Sequence, residues 1–132
     1  MCFDYHSSAR QLERIADHAA KIAQVSLDLG EVSPEVVTAL RDLHTEAAAV
    51  IDDAMDALFE DDSEDSTQLA NDARGSILGI DEHTRHVDEL LHDLEPHDAQ
   101  NLGLVVDSLS RSADYGGNIA ETALQKAAPR PR

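Results

Sequence analysis

Apolar residues in this chain recur at alternating steps of three and four through four long stretches, and no stretch shows the alternation of a strand. With 100° of turn per residue, that spacing gathers one apolar stripe per stretch on a helix face. The longest regular run is Ala73, Ile77, Ile80, Thr84, Val87, Leu91 and Leu94. Helices are expected over residues 5–29, 34–59, 64–94 and 97–126. The breaks between them carry recognisable chemistry: Gly30 as a C-terminal stop, Ser33-Pro34 as N-cap and first helical residue, a polar Glu60-Asp61-Asp62-Ser63 loop, and Pro96. Short connections between long helices make neighbours antiparallel. The expectation is an all-α, antiparallel four-helix bundle forming one domain over residues 1–132, with a disordered tail from 127 to 132. Gly75 and Gly79 are expected to bend or fray the third helix, at about 1 kcal/mol each relative to Ala.

Aromatic residues are only 3% of the chain and Trp is absent, so the core must be built from Ala, Leu, Ile and Val. On helix one the inward set is Leu12, Ile15, Ala16, Ala19, Ile22 and Ala23. On helix two it runs from Val36 through Leu40, Leu43, Ala47, Val50 and Ala54 to Leu58. On helix four Leu102, Val105, Leu109, Ala113, Gly116, Ala120 and Leu124 point inward. Phe3, Tyr5, Val25 and Leu27 are left without an obvious partner in the chain, which leads to the expectation of a homodimer formed through the first helices.

The formal net charge is −17, from 27 acids and 10 bases, and Lys21 and Lys126 are the only lysines. A field of that sign repels phosphate backbones, so no direct nucleic-acid binding is expected. Acidity with lysine depletion is the surface expected of a halophilic protein, where molar salt screens self-repulsion within about 3 Å. A single cysteine, Cys2, excludes an internal disulfide and any multi-thiolate metal site. No apolar run reaches the ~18 residues of a membrane span and no signal-peptide layout opens the chain, so a cytoplasmic protein without membrane insertion is expected.

Helices one and four are related. Leu12-Glu13-Arg14-Ile15-Ala16-Asp17 aligns with Leu109-Ser110-Arg111-Ser112-Ala113-Asp114, and Ile22-Ala23 with Ile119-Ala120, all 97 residues apart. Helical periodicity would repeat the Leu and Ile positions but does not require Arg and Asp to match. Ala19-Ala20 and Gly116-Gly117 fall at the same height, and small residues there admit a close neighbour. Glu13 and Asp17 stand one turn apart at the margin of the apolar face. Asp114 and Glu121 hold the same margin of helix four, with Asn118 between them. Oxygen donors so spaced suit a hard cation, and they equally suit simple solvation in a chain this acidic.

The segment from Ala9 to Ala23, ARQLERIADHAAKIA, resembles the signature helix of PhoU proteins, with its Glu/Asp-x-x-x-Asp motif. The segment from Ser108 to Ala123, SLSRSADYGGNIAETA, resembles its second copy in the form of haloarchaeal members. The resemblance covers residues 5 to 127. It implies one three-helix PhoU repeat preceded by the last helix of another, without that repeat's first two helices or an AbrB-like segment. It also implies a non-enzymatic negative regulator of phosphate uptake, which contacts the phosphate ABC transporter or a sensor kinase. The metal ligands it implies are Glu13 and Asp17, and Asp114, Asn118 and Glu121, for iron, zinc or manganese. Ser110 stands where the motif's first acid belongs in the second copy.

Other chemistries find less support. A ferritin-like carboxylate centre needs Glu-x-x-His on two helices, and Glu89-Leu90-Leu91-His92 is the only instance. His83-x-x-His86 shares one helical turn and reads first as a solvated pair. No nucleophile has a base and an orienting acid at readable spacing, and no Gly-rich phosphate cradle is present. A structural helical adaptor without metal remains the alternative reading.

Overall fold

A computed structural model of the chain describes residues 2–129, with side chains from Asp4 onward. Among these residues there are four helices and no strands: α1 (Cys2–Ser26), α2 (Pro34–Phe59), α3 (Ser63–Leu91) and α4 (Pro96–Ala127). The protein is an all-α bundle. Residues 130–132 of the expected tail lie outside the described residues, as does the side chain of Phe3. Ala127, expected in that tail, is the last residue of α4, and the chain becomes extended at Ala128.

Each N-terminus after the first is capped by an oxygen that satisfies orphan backbone donors. Ser33 Oγ accepts from Val36 N at 3.4 Å, with Pro34 in the first turn. The Asp62 carboxylate accepts from Glu64 N at 3.0 Å and Asp65 N at 2.9 Å, so α3 starts at Ser63. Glu95 accepts from His97 N and Asp98 N, and Pro96 occupies a position where a missing N–H costs nothing.

Two helix ends differ from expectation. α1 stops at Ser26, not near Leu29, and does so without a left-handed glycine. The chain leaves through i→i+3 bonds from Leu27, Asp28 and Leu29, then sets Leu29 and Val32 against the core. α3 ends at Leu91, and a turn bonded from Leu94 N to Leu91 O folds Leu94 back onto the core. Gly75 and Gly79 do not interrupt α3, which is helical through both, and they face open space.

α2, α3 and α4 pack on one another as a triangle, and α1 lies along α4 alone. α3 runs antiparallel to both α2 and α4, as the Ser66–Ala57 and His83–Glu46 contacts and the Gly117–Ile77 approach require. α2 and α4 are therefore parallel. Of the expected core, Leu43, Val50 and Leu58 from α2, Ile80 and Val87 from α3 and Leu102 from α4 are all nearly inaccessible; Val106 and Ile119 of α4, outside the expected inward set, are as deeply buried. Burying a side chain of this size contributes about 1.5–3 kcal/mol. Lys126 closes the triangle at one end, donating from Nζ to the Leu58 carbonyl at the C-terminus of α2, where a cation is favoured.

The inward set of α1 is the main correction. Ile15 and Ile22 are half-buried against the core, together with Val25. Leu12 is 37% exposed, and Ala16, Ala19 and Ala23 are exposed. One neighbour covers only one stripe of a helix, and the stripe that α4 covers is Gln11, Ile15, His18 and Ile22. Tyr5 does have a partner, since its ring stacks on Phe59 of α2 at 5.7 Å between centroids. Leu27 is 86% exposed.

Candidate functional site

The acids singled out on α4 come together at a groove between α3 and α4. Asp114, Asn118 and Glu121 line one wall, Gly117 forms its floor, and Arg74 and Ile77 face them from α3; the space is about 310 Å³. Gly117 is a glycine because a Cβ there would stand 2.6 Å from Ile77 Cδ1. Burial raises the Asp114 carboxyl above the usual aspartate range, and the charge of Asp81 across the groove raises it further, against the lowering effect of Arg111. Asn118 is tied to α1, its Nδ2 donating to Gln11 Oε1 at 3.1 Å, which leaves its carbonyl oxygen as an acceptor.

Glu13 and Asp17 lie elsewhere. Both are exposed on α1. Glu13 is turned about 200° round the helix from Gln11, away from α4. The structure does not gather them with Asp114 and Glu121. Two oxygen donors on an open surface offer less to a hard cation, which takes six to eight, than two carboxylates and an amide along one groove. Among the described residues, no group of three or more His, Cys, Asp or Glu side chains is disposed to hold a metal ion. The α4 set suits an oxygen-ligated ion better than a nitrogen- and sulfur-seeking one, and Arg74 already brings a positive charge to that groove.

The contact between α1 and α4 adds polar and aromatic residues to Ile15 and Ile22. His18 Nδ1 and the buried Ser108 Oγ are 3.0 Å apart, and the Ser112 hydroxyl donates to the Ser108 carbonyl. The His18 and Tyr115 rings meet at 5.7 Å, and the Arg14 guanidinium sits 5.8 Å above Tyr115. The His18–Ser108 contact joins α1 to α4 across 90 residues of sequence.

A second cleft, about 650 Å³, lies between α2 and α3 and was not foreseen as a unit. Leu43, Val87 and Leu90 supply its apolar wall, and Asp42, Glu46, His83 and His86 its rim. His83 Nδ1 meets the Glu46 carboxylate at 2.6 Å. That hydrogen bond, with the Glu46 charge, raises the His83 pKa above its ordinary value. His83 and His86 were legible from their spacing, whereas Glu46, 37 residues away, carries no sequence signal of the pairing. Glu89 and His92, the single ferritin-like pair, are both exposed near the end of α3.

No family profile matches the chain, and searches of curated proteins and of solved structures find no match either. No helix of the described residues is long and apolar enough to cross a membrane.

Proposed function

We propose that this chain is a PhoU-like regulatory module of phosphate uptake. On this reading it works as a homodimer in the cytoplasm, binds metal through the acids of α4 and, at a separate place, through Glu13 and Asp17 of α1, and signals to a phosphate transporter or its sensor proteins without catalysis. The observation that carries the reading is the groove of Asp114, Asn118 and Glu121. These are the residues that the motif resemblance assigns to metal, and they converge from one turn to the next on a single wall. The raised Asp114 pKa supports it too, because a carboxyl held beside Asp81 at a cost to folding gains most from an added cation.

The test is calorimetric titration of tag-free protein with Mn²⁺, Fe²⁺ and Zn²⁺ in molar KCl. Binding to the wild type should weaken at least tenfold in Asp114→Asn and in Glu121→Gln while the helical circular dichroism is unchanged. Equal binding by both variants would remove the metal part of the proposal. For the pathway, deletion of the gene should change phosphate accumulation in cells grown in excess phosphate, and an unchanged level would remove that part.

The alternative is an adaptor that binds no metal. Arg74 favours it, since the groove then holds its own counter-charge. Under that reading the wild type takes up none of the three metals in the titration, while Arg74→Met keeps the helical signal and begins to bind, because the competing cation is gone.

A further inference from the structure

We infer that the cleft between α2 and α3 is a binding site for an aliphatic diamine, its hydrocarbon chain laid against Ala39 and Leu90 and its two ammonium groups beside Glu35 and Asp42. The site lies apart from the Asp114 groove and requires neither metal nor phosphate.

The first support is size and lining. At about 650 Å³ the cleft falls within the about 300–1,000 Å³ usual for a small-molecule site. Its floor is apolar. His83 of α3 meets Glu46 of α2, and the two helices are antiparallel. Leu90, seven residues on from His83, therefore comes level with Ala39, seven residues back from Glu46. Both are half-buried, beside the inaccessible Leu43 and Val87.

The second support is charge. Glu35, Asp42 and Glu46 line the cleft, and no lysine or arginine does. His83 engages Glu46, whereas among the described residues Glu35 and Asp42 take part in no ion pair. The negative field extends across the cleft. His83 is raised first by its bond to Glu46 and by that residue's charge, and further by Glu82 and Asp42, against the lowering effect of desolvation. The Asp114 groove differs, because Arg74 brings it a counter-charge. The lining of the α2–α3 cleft thus favours a cation, and the cation that also uses an apolar floor is an organic one.

The third is spacing. Glu35 and Asp42 stand seven residues apart on α2, which is about 10 Å along the helix and about 20° round it. That is the span between the nitrogens of an extended eight-carbon diamine. Ala39 lies between them, one turn beyond Glu35. Both carboxylates are exposed, so each ammonium keeps part of its water while the chain between them is buried.

Calorimetric titration with 1,8-diaminooctane tests this, in EDTA and about 0.5 M KCl, which screens charge attraction beyond about 4 Å. The wild type should bind one equivalent with a dissociation constant below about 1 mM. Glu35→Gln and Asp42→Asn should each weaken binding at least threefold. Ala39→Leu fills the floor without changing the charge and should weaken it at least tenfold, the helical signal being intact in all three. Asp61→Asn, in the exposed loop before α3, should leave it unchanged. Absence of saturable binding overturns the inference. So does binding that Ala39→Leu leaves intact, or that Asp61→Asn weakens as much as Asp42→Asn, which is counter-ion attraction by the acidic surface. Equal binding of octane-1,8-diol overturns the role of charge, and a Leu-Lys helical peptide that binds where the diamine does not assigns the cleft to a partner helix instead.

Discussion

Gly116 of α4 lies so near Ile51 of α2 that a Cβ placed on it would be 3.0 Å from Ile51 Cγ1 and 3.3 Å from the Ile51 Cα. Two parallel helices are in near-backbone contact there, and α2 itself must yield to make room. We expect Gly116→Ala to destabilise the fold by about 1 kcal/mol net, the overpacking cost of roughly 1–3 kcal/mol exceeding the gain in helix propensity. Gly75→Ala and Gly79→Ala meet nothing within 4 Å, and each should stabilise by about 1 kcal/mol. Urea denaturation of the three variants checks both signs.

Asp114 gives a pH prediction. Its folded pKa is raised, so its contribution to stability is present below the unfolded value of 3.8 and is lost as pH rises through the folded value. At neutral pH the charged group opposes folding. Asp114→Asn should therefore raise the melting temperature at pH 7 in EDTA and lose that advantage near pH 3. A variant less stable than the wild type at pH 7 would contradict the assignment.

His83 has the same sign and a different origin. The Glu46 hydrogen bond raises its folded pKa above 6.5, so the pair's contribution is complete below pH 6.5 and fades as pH rises through the folded value. Both side chains are substantially accessible, so the effect on stability should be small. Titration of the His83 ring by NMR should give a midpoint above 6.5, moving down in Glu46→Gln.

The acidic surface predicts a salt response. Asp53 is raised first by burial and then by the charges of Asp56, Asp72 and Asp52, a local case of repulsion that the net charge of −17 extends over the chain. The Arg111–Asp107 pair is about half exposed at both ends and offsets little of it. Melting temperature should rise steeply from low to molar KCl as repulsion is screened. A flat profile would remove the halophilic reading.

The sequence by itself determined the four helices, because period and end-chemistry are local: Ser33-Pro34 and Pro96 begin helices whatever surrounds them. It also determined most of the cores of α2 and α3 and one side of α4; Val106 and Ile119 are buried as well, because α4 is covered by three helices and not by one. Along α4, the spacing of Asp114, Asn118 and Glu121 placed three donors on one flank before any fold was known. Only the tertiary structure decided the rest. α1 carries two adjacent stripes, Gln11–Ile15–His18–Ile22 and Leu12–Ala16–Ala19–Ala23, and periodicity cannot choose between them; the His18–Ser108 contact and the ring of Tyr115 did so by fixing which one meets α4. The bonds from His83 to Glu46 and from Lys126 to the Leu58 carbonyl span 37 and 68 residues. Such partners are set by how helices lie side by side, and no spacing within one helix encodes them.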